Sequence, residues 1–600
     1  MLFYFKNLRM FFISLLLISC GGESTNSNQT STEPILEPLP PVVTILPVIN
    51  QVTILTQTIE KYKKLEIKIN LISLYTNPYN QEEVSINALF TSPANNQFTV
   101  PAFWDGESNW LVRFTPSSQG LWTYSLSITD IQGTSLPLKG EFTVADSSYS
   151  GWLQTGQQFN TNYSNKYLVR HDGSPFYGVG HADAFIVERS FNNGTDDSLE
   201  DLINNMKEAN ENYFVWWPQF YFSLVENNYD DFDLRNLKTI DTFLTRLEQE
   251  DLFVIFTLWD HSQLRDNNHL WFDGNWFNNN GFSQLSSLTE FFILDDAWLW
   301  QRNLYRYIIA RYGYSSSIAM WQTVSEIDGT NSYENSDVWH KKVNDYFVDN
   351  DPYQHPTTAS KAGDIVWNEG HEVMDVAQVH IYQDLLGSNN QPLTTNTANV
   401  IANYTQTLWE NNDKPNWIGE FGVLNNTALN ENYYPELFHN AIWSALSNGA
   451  ALTPAEWNDF FDWSVMTTAM KDHIRFFNTF IQPIPLAQWN PLPINITDNN
   501  NTTKSWGILG NEGGIIWTQD ILVSGLHIND IREQRVLRNN VSLFLSDIKS
   551  GQFKITPFNT WNGQFDNSFT IDCNSVSGNG CQIDLPNFMS DIAIRLDRVD

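Results

Sequence analysis

Basic residues are scarce in this chain: 33 Lys and Arg stand against 68 Asp and Glu, a net charge of −35. So anionic a surface repels nucleic acid and acidic membranes, which excludes nucleic acid as a partner and favours a neutral polymer over an acidic one. Cysteine is nearly missing, with three in 600 residues, too few for a scaffold built on zinc or on many disulfides. No apolar run beyond the N-terminus is long enough to cross a bilayer. Aromatic rings are abundant instead, at 14% of residues with 23 Trp. Rigid rings with a polar edge suit both cores and flat binding platforms.

The N-terminus reads as a targeting segment. Lys6 and Arg9 precede the short apolar stretch Met10 to Ile18, which is too short to span a membrane and fits a signal peptide over residues 1–19. Its end, Leu17-Ile18-Ser19-Cys20, resembles the lipobox of bacterial lipoproteins. That resemblance implies a lipidated Cys20, an N-terminal lipid anchor as the only membrane contact, and a place in the bacterial cell envelope. Residues 20–49, rich in Gly, Ser, Thr, Asn and Pro, read as a disordered tether. The remaining cysteines, Cys573 and Cys581, flank "NSVSGNG" and predict a structural disulfide closing a hairpin in an exported protein.

Three patterns follow one another along the rest of the chain. Residues 50–148 alternate apolar and polar positions in short runs such as "KLEIKINL" and "GLWTYSLSI", which predicts an immunoglobulin-like β-sandwich. Within it, Trp104-Asp105-Gly106 and the run Arg113-Phe114-Thr115-Pro116 to Gly120 and Trp122 resemble the N-terminal module that precedes many cellulase-like and apiosidase-like glycoside hydrolases. Residues 149–495 alternate strands with amphipathic stretches. Eight apolar strand candidates, from "PFYGVGHADA" to "AALTPAEW", are the count for a (β/α)8 barrel, although no helix is visible after the fifth. Residues 496–600 return to short alternating strands and predict a small C-terminal β-sandwich.

In such a barrel the chemistry gathers at the C-terminal ends of the strands. Glu326 ends the fourth candidate in "WQTVSEID", and Glu420 ends the seventh in "NWIGEFG". His380 and Tyr382 end the sixth, Trp259 and His261 the third, His181 the first and Trp457 the eighth. Two glutamates from different strands of one barrel mouth can serve as nucleophile and acid/base in retaining glycoside hydrolysis, which needs them about 5–5.5 Å apart. With this strand order the segment resembles clan A glycoside hydrolases, the superfamily of the cellulase-like family five enzymes. The resemblance implies Glu420 as nucleophile and Glu326 as acid/base, with Tyr382 bonded to the nucleophile and Trp457 flooring the sugar site. It further implies substrate-binding roles for His181, Trp259, His261, Ser325 and His380, a polysaccharide or oligosaccharide substrate, and no cofactor or metal.

Two departures from the clan pattern stand out. Ser325 precedes the acid/base where the clan has Asn, and the second strand, "YFVWWPQF", lacks the usual arginine, leaving Gln219 as a substitute. Trp216, Trp217, Trp259, Trp271 and Trp276 are either core rings or, in the loop His269 to Phe282, sugar contacts, and His181 and His261, each taken alone, read slightly better as structural histidines. Asp328 is too near Glu326 in sequence to be its catalytic partner and fits a loop-orienting role. Two alternatives compete: a non-catalytic surface glycan-binding lipoprotein, and a metal-dependent barrel hydrolase built on His181, Asp183, His261 and His380.

Overall fold

The computed structural model describes residues 45–599 except 185, 187–198, 219–223, 225–227, 267–275, 332, 363–366, 385–395, 425–429, 458–466, 525–534, 547 and 574–580. Cys20 and the targeting segment lie outside the described residues, as do Gln219 and Trp271. Residues from Leu46 onward form one compact unit. No helix among the described residues is long and apolar enough to cross a membrane.

Two antiparallel sheets open the fold. Val48–Ile54, Leu65–Ile72, Trp110–Phe114 and Phe103–Trp104 make one; Gln97–Pro101, Val84–Thr91, Gly120–Asp130, Gly133–Thr134 and Leu138–Val144 make the other. Val84–Thr91 buries every second residue, as a strand with one core face must. Ile67, Ile86, Phe90, Phe114 and Trp122 fill the space between the sheets, with Phe90 and Phe114 stacked at 4.1 Å.

The motifs that carried the N-terminal resemblance dock these sheets onto the helices behind them. Arg113 binds Glu66 at 2.7 Å and Asp241 at 2.5 Å; Arg311 binds Asp241 at 2.5 Å and Asp105 at 2.9 Å. Both guanidiniums are buried. Tyr307 donates to the Trp104 carbonyl at 2.6 Å, and Thr115 donates to that of Tyr314 at 2.6 Å. Two cations sharing one aspartate out of water are tolerable only because each has further acceptors.

The centre is a mixed α/β body around a nearly closed parallel barrel. Gly180–Ala182, Tyr213–Trp216, Phe253–Thr257, Ile318–Gln322, Thr357–Ala359, Val376–Asp384 and Asn416–Leu424 pair in chain order. The third and fourth strands are buried at every position, as parallel strands covered on both faces are. Helices on the outside include Leu234–Glu250, Asp295–Tyr312, Tyr333–Asn350 and Thr397–Asn411. Among the described residues after the fifth strand the helix is Asn368–Val373, too short to leave an amphipathic signature in the sequence.

Seven strands form, joined by six ladders, where eight strands were expected. The eighth segment, residues 450–457, reaches both edge strands by single bonds: Ala451 N and Ala455 N donate to the Asn416 and Ile418 carbonyls at 2.9 and 3.0 Å, and Thr453 N donates to that of Gly178 at 2.8 Å. Pro454 in its middle has no N–H to give, so no regular ladder forms.

The C-terminal part holds a seven-stranded antiparallel sheet and a three-stranded one. The disulfide Cys573–Cys581 is present, but it does not close a hairpin. Phe569–Cys573 pairs with Gly551–Asn559 in the large sheet, whereas Cys581–Asp584 pairs with Ser542–Leu545 in the small one, so the bridge ties two sheets together. The large sheet also packs on the barrel helices, where Asp591 accepts from His439, Trp517, Thr560 and Trp561.

Candidate active site

The sixth and seventh strands run side by side with a register break. Val379 faces Ile418, but the next residue, His380, faces Glu420, so Gly419 is the extra residue of a bulge. No side chain fits there, because a Cβ on Gly419 would stand 1.7 Å from Gln378 Oε1. The bulge turns Glu420 to the same side as His380 and Tyr382. Gly422 makes room in turn for the Tyr382 ring, which a Cβ would meet at 2.9 Å. The glycines on either side of Glu420 thus have separate steric reasons.

Glu326 comes from the turn after the fourth strand and meets this group. His380 Nδ1 lies 2.8 Å from Glu326 Oε1 and 3.3 Å from Glu420 Oε2. Tyr382 donates its hydroxyl to Glu420 Oε2 at 2.5 Å, and Ser325 Oγ approaches Glu420 Oε1 at 3.5 Å. His261 Nδ1 stands 3.5 Å from Glu326 Oε2. One donor atom each from Glu326, His380 and Glu420 fall within 4.8 Å of one another. With a proton on Nδ1, His380 donates to Glu326 and stands beside Glu420, so the trio can hold a proton between its members.

Burial pushes the Glu420 carboxyl up to about 7, with the Glu326 charge adding to it against the pull of His380 and Tyr382. Burial acts on Glu326 too, but the His380 hydrogen bond and the charges of His261, His380 and Arg265 hold it below the usual carboxylate range. For His380, burial opposes the charged ring and the two glutamates overcome it, so its pKa is raised. At rest, then, Glu420 keeps a proton more readily than Glu326. This is the reverse of the order that a Glu420 nucleophile and a Glu326 acid require. Both arrangements, however, hold the same number of protons and differ only in which carboxylate carries the shared one.

The other expected site residues divide. Trp457 lies 5.0 Å from Trp217, whose edge meets His261 at 5.7 Å, so these rings form a wall beside Glu326. Trp259 sits in the aromatic core, donating to Tyr305 at 2.9 Å and packing on Phe291 at 5.2 Å, and Trp216 stacks on Phe243 in the same core. His181 is committed to Glu211 at 2.9 Å. Burial opposes its charge, but Glu211, Asp183 and Glu456 raise it to about 9. The four residues of the alternative metal site are therefore not brought together among the described residues: His181 binds Glu211, while His261 and His380 face Glu326.

Two site residues escaped the sequence reading, and Trp217, which follows the second strand directly and reads as a core ring in the sequence, joins the site through His261 and Trp457. Arg265, after the third strand, supplies a positive charge near Glu326, whereas the arginine missing from the second strand was expected beside Glu420. Ser360, after the fifth strand, accepts the Glu326 N–H at 3.0 Å and had no sequence signal. Asp328 accepts from Ala362 N at 2.7 Å and orients its loop.

Residues 58–129 match the model of a domain of unknown function, DUF5060. No curated protein matches the chain. Among solved structures, the chain is similar to one from Bacteroides vulgatus ATCC 8482 described as a putative glycoside hydrolase, with a TM-score of 0.60 at 16% identity over 91% of this chain and 100% of that one. It is more loosely similar to a β-D-glucuronidase of Dictyoglomus thermophilum, with a TM-score of 0.33 at 12% identity over 68% and 62% of the two chains. A β-glucuronidase 2 of Bacteroides uniformis gives 0.38 at 9% identity over 92% and 80%. The first likeness establishes a shared fold; nothing is argued from the other two.

Proposed function

We propose that the protein is a retaining glycoside hydrolase that cleaves β-linked polysaccharide or oligosaccharide, with Glu420 as nucleophile and Glu326 as acid/base. The observation that carries this reading is the approach of the two carboxylates, with one oxygen of each inside a 4.8 Å group around His380. An oxygen of each carboxylate within 4.8 Å of the other fits the roughly 5 Å carboxyl separation of double displacement. The description of the Bacteroides vulgatus protein that shares the fold points the same way.

In this mechanism Glu420 attacks the anomeric carbon while Glu326 protonates the departing oxygen; Glu326 then deprotonates the water that releases the sugar. The shared proton must first pass to Glu326, and a sugar oxygen beside Glu326 in place of the His380 contact would favour that shift. Tyr382 holds Glu420 in line, and Trp217 with Trp457 offers a stacking wall for an apolar sugar face. The acidic charge favours a neutral β-glycan, such as a β-glucan, mannan or agar-type galactan. On the same reading, the N-terminal sheets are an immunoglobulin-like sandwich, the C-terminal sheets a second one, and Cys20 anchors the enzyme to the cell envelope.

The test is reducing-end release from a panel of neutral β-glycans by the parent, Glu326→Ala and Glu420→Ala. Release by the parent that both substitutions abolish, with β-configured first product by NMR, supports the assignment. Glycan binding by all three with release by none would make the barrel a binding scaffold.

A further inference from the structure

The two carboxylates stand on different kinds of backbone. Glu420 lies in a strand, whereas Glu326 has φ 56° and ψ 60°, the left-handed region that side chains with a Cβ rarely adopt. Such a conformation persists only where the surroundings over-determine it. Here the surroundings are the end of the fifth strand. Ser360 Oγ accepts from Glu326 N at 3.0 Å, and the Ser360 carbonyl accepts from Ile327 N at 2.9 Å. Ser360 N donates back to the Val324 carbonyl at 3.3 Å, and Gly329 N closes the turn on the Glu326 carbonyl at 2.8 Å. Two residues on, Asp328 takes the Ala362 N–H. Ser360 itself is wholly buried.

We propose that Ser360 is the positioning residue for Glu326: its hydroxyl fixes the left-handed turn that carries the Glu326 carboxylate to His380 Nδ1. The backbone contacts of Ser360 would survive replacement by Ala, but the hydroxyl contact would not, and the Glu326 N–H would then be a buried donor without its acceptor. The turn would relax toward ordinary backbone and withdraw the carboxylate. The groups facing Glu326 are His380 and Glu420 from the sixth and seventh strands, His261 and Arg265 from beyond the third, and Asp328 in its own turn. The catalytic consequence rests on the glycosidase reading; the clamp does not.

The experiment has two arms on the full chain. First, histidine-labelled parent and Ser360→Ala are titrated by NMR, with the His380 signal assigned by His380→Gln. Withdrawal of Glu326 lowers the His380 midpoint in Ser360→Ala, and an unchanged midpoint overturns the proposal. Second, kcat and KM are measured on phenyl and 2,4-dinitrophenyl β-glycosides of one sugar. A misplaced acid costs on the order of 10²-fold in kcat/KM on the phenyl glycoside and little in kcat/KM on the activated one, whose leaving group needs no proton. Equal losses on both would mean a general structural defect and would also overturn it. Should Ser360→Ala fail to fold, Ser360→Cys keeps the volume with a weaker acceptor and supplies the same comparison. If Glu326→Gln and Glu420→Ala retain activity, the glycosidase reading falls while the titration still decides the clamp.

Discussion

His380 faces Glu420 across the strand pair, yet its Nδ1 lies closer to Glu326, at 2.8 Å against 3.3 Å. One ring proton therefore arbitrates between two carboxylates that reach the site from opposite sides of the barrel mouth. The charge balance at this point, more than either glutamate alone, sets what the site can do.

Tyr382 tests that balance. Its hydroxyl favours the charged form of Glu420, so Tyr382→Phe raises the Glu420 pKa further. The rise of kcat/KM with pH is expected to move to higher pH, with a loss of about 10²-fold near neutrality, the usual scale for one donor to a reacting charge. A profile that does not move would remove Tyr382 from the mechanism.

His181 offers a stability test with a defined sign. Its folded pKa is raised from 6.5 to about 9, which corresponds to about 3 kcal/mol of stability. A raised histidine contributes fully below its unfolded pKa and loses the contribution as pH rises through the folded value. Thermal unfolding of His181→Asn should thus lag the parent most at pH 6 and least above pH 9. A gap that widens with pH would contradict the Glu211 ion pair.

In the helix Leu234–Glu250, Asp241 is shared by two buried guanidiniums. Asp241→Ala leaves both short of an acceptor and should cost about 3–5 kcal/mol in urea unfolding. Enzyme that remains folded should keep its kcat, since the ion pairs of Asp241 are with Arg113 and Arg311 and not with the groups around Glu326.

Glycines beside Glu420 make a paired prediction. Gly422→Ala presses on the Tyr382 ring and should lose activity much as Tyr382→Phe does, with the fold intact. Gly419→Ala collides with Gln378 and should destabilise the whole barrel. Shortening Gln378 to Ser in the same chain should recover part of that loss, as a double-mutant cycle would show.

Much of this arrangement was legible beforehand because barrel strands are continuous apolar runs, and a polar residue at the end of such a run is conspicuous. Glu326, His380, Tyr382 and Glu420 all gave that signal. His181 gave it too, but a strand end does not reveal that Glu211, from the start of the next strand's segment, already holds the ring. Trp259 misled for a similar reason, since an aromatic at a strand end reads alike whether it opens to the mouth or packs on Phe291. Ser360 was silent because its contribution is one hydroxyl to one backbone N–H, and the register of the Gly419 bulge depends on two strands at once. The eighth strand failed on a residue in plain view, Pro454, whose missing N–H outweighs the apolar pattern around it.

That proline gives the barrel a seam. Six joints of the ring are laddered, whereas residues 450–457 are fastened to the first and seventh strands by separate hydrogen bonds and isolated bridges. The same eight residues carry Trp457, so part of the wall beside Glu326 is mounted on an irregular joint. Strain applied at that wall has a short route into the first and seventh strands, and the seventh carries Glu420. Amide exchange at Thr453 and Ala455, with and without glycan, would gauge whether filling the mouth tightens that seam.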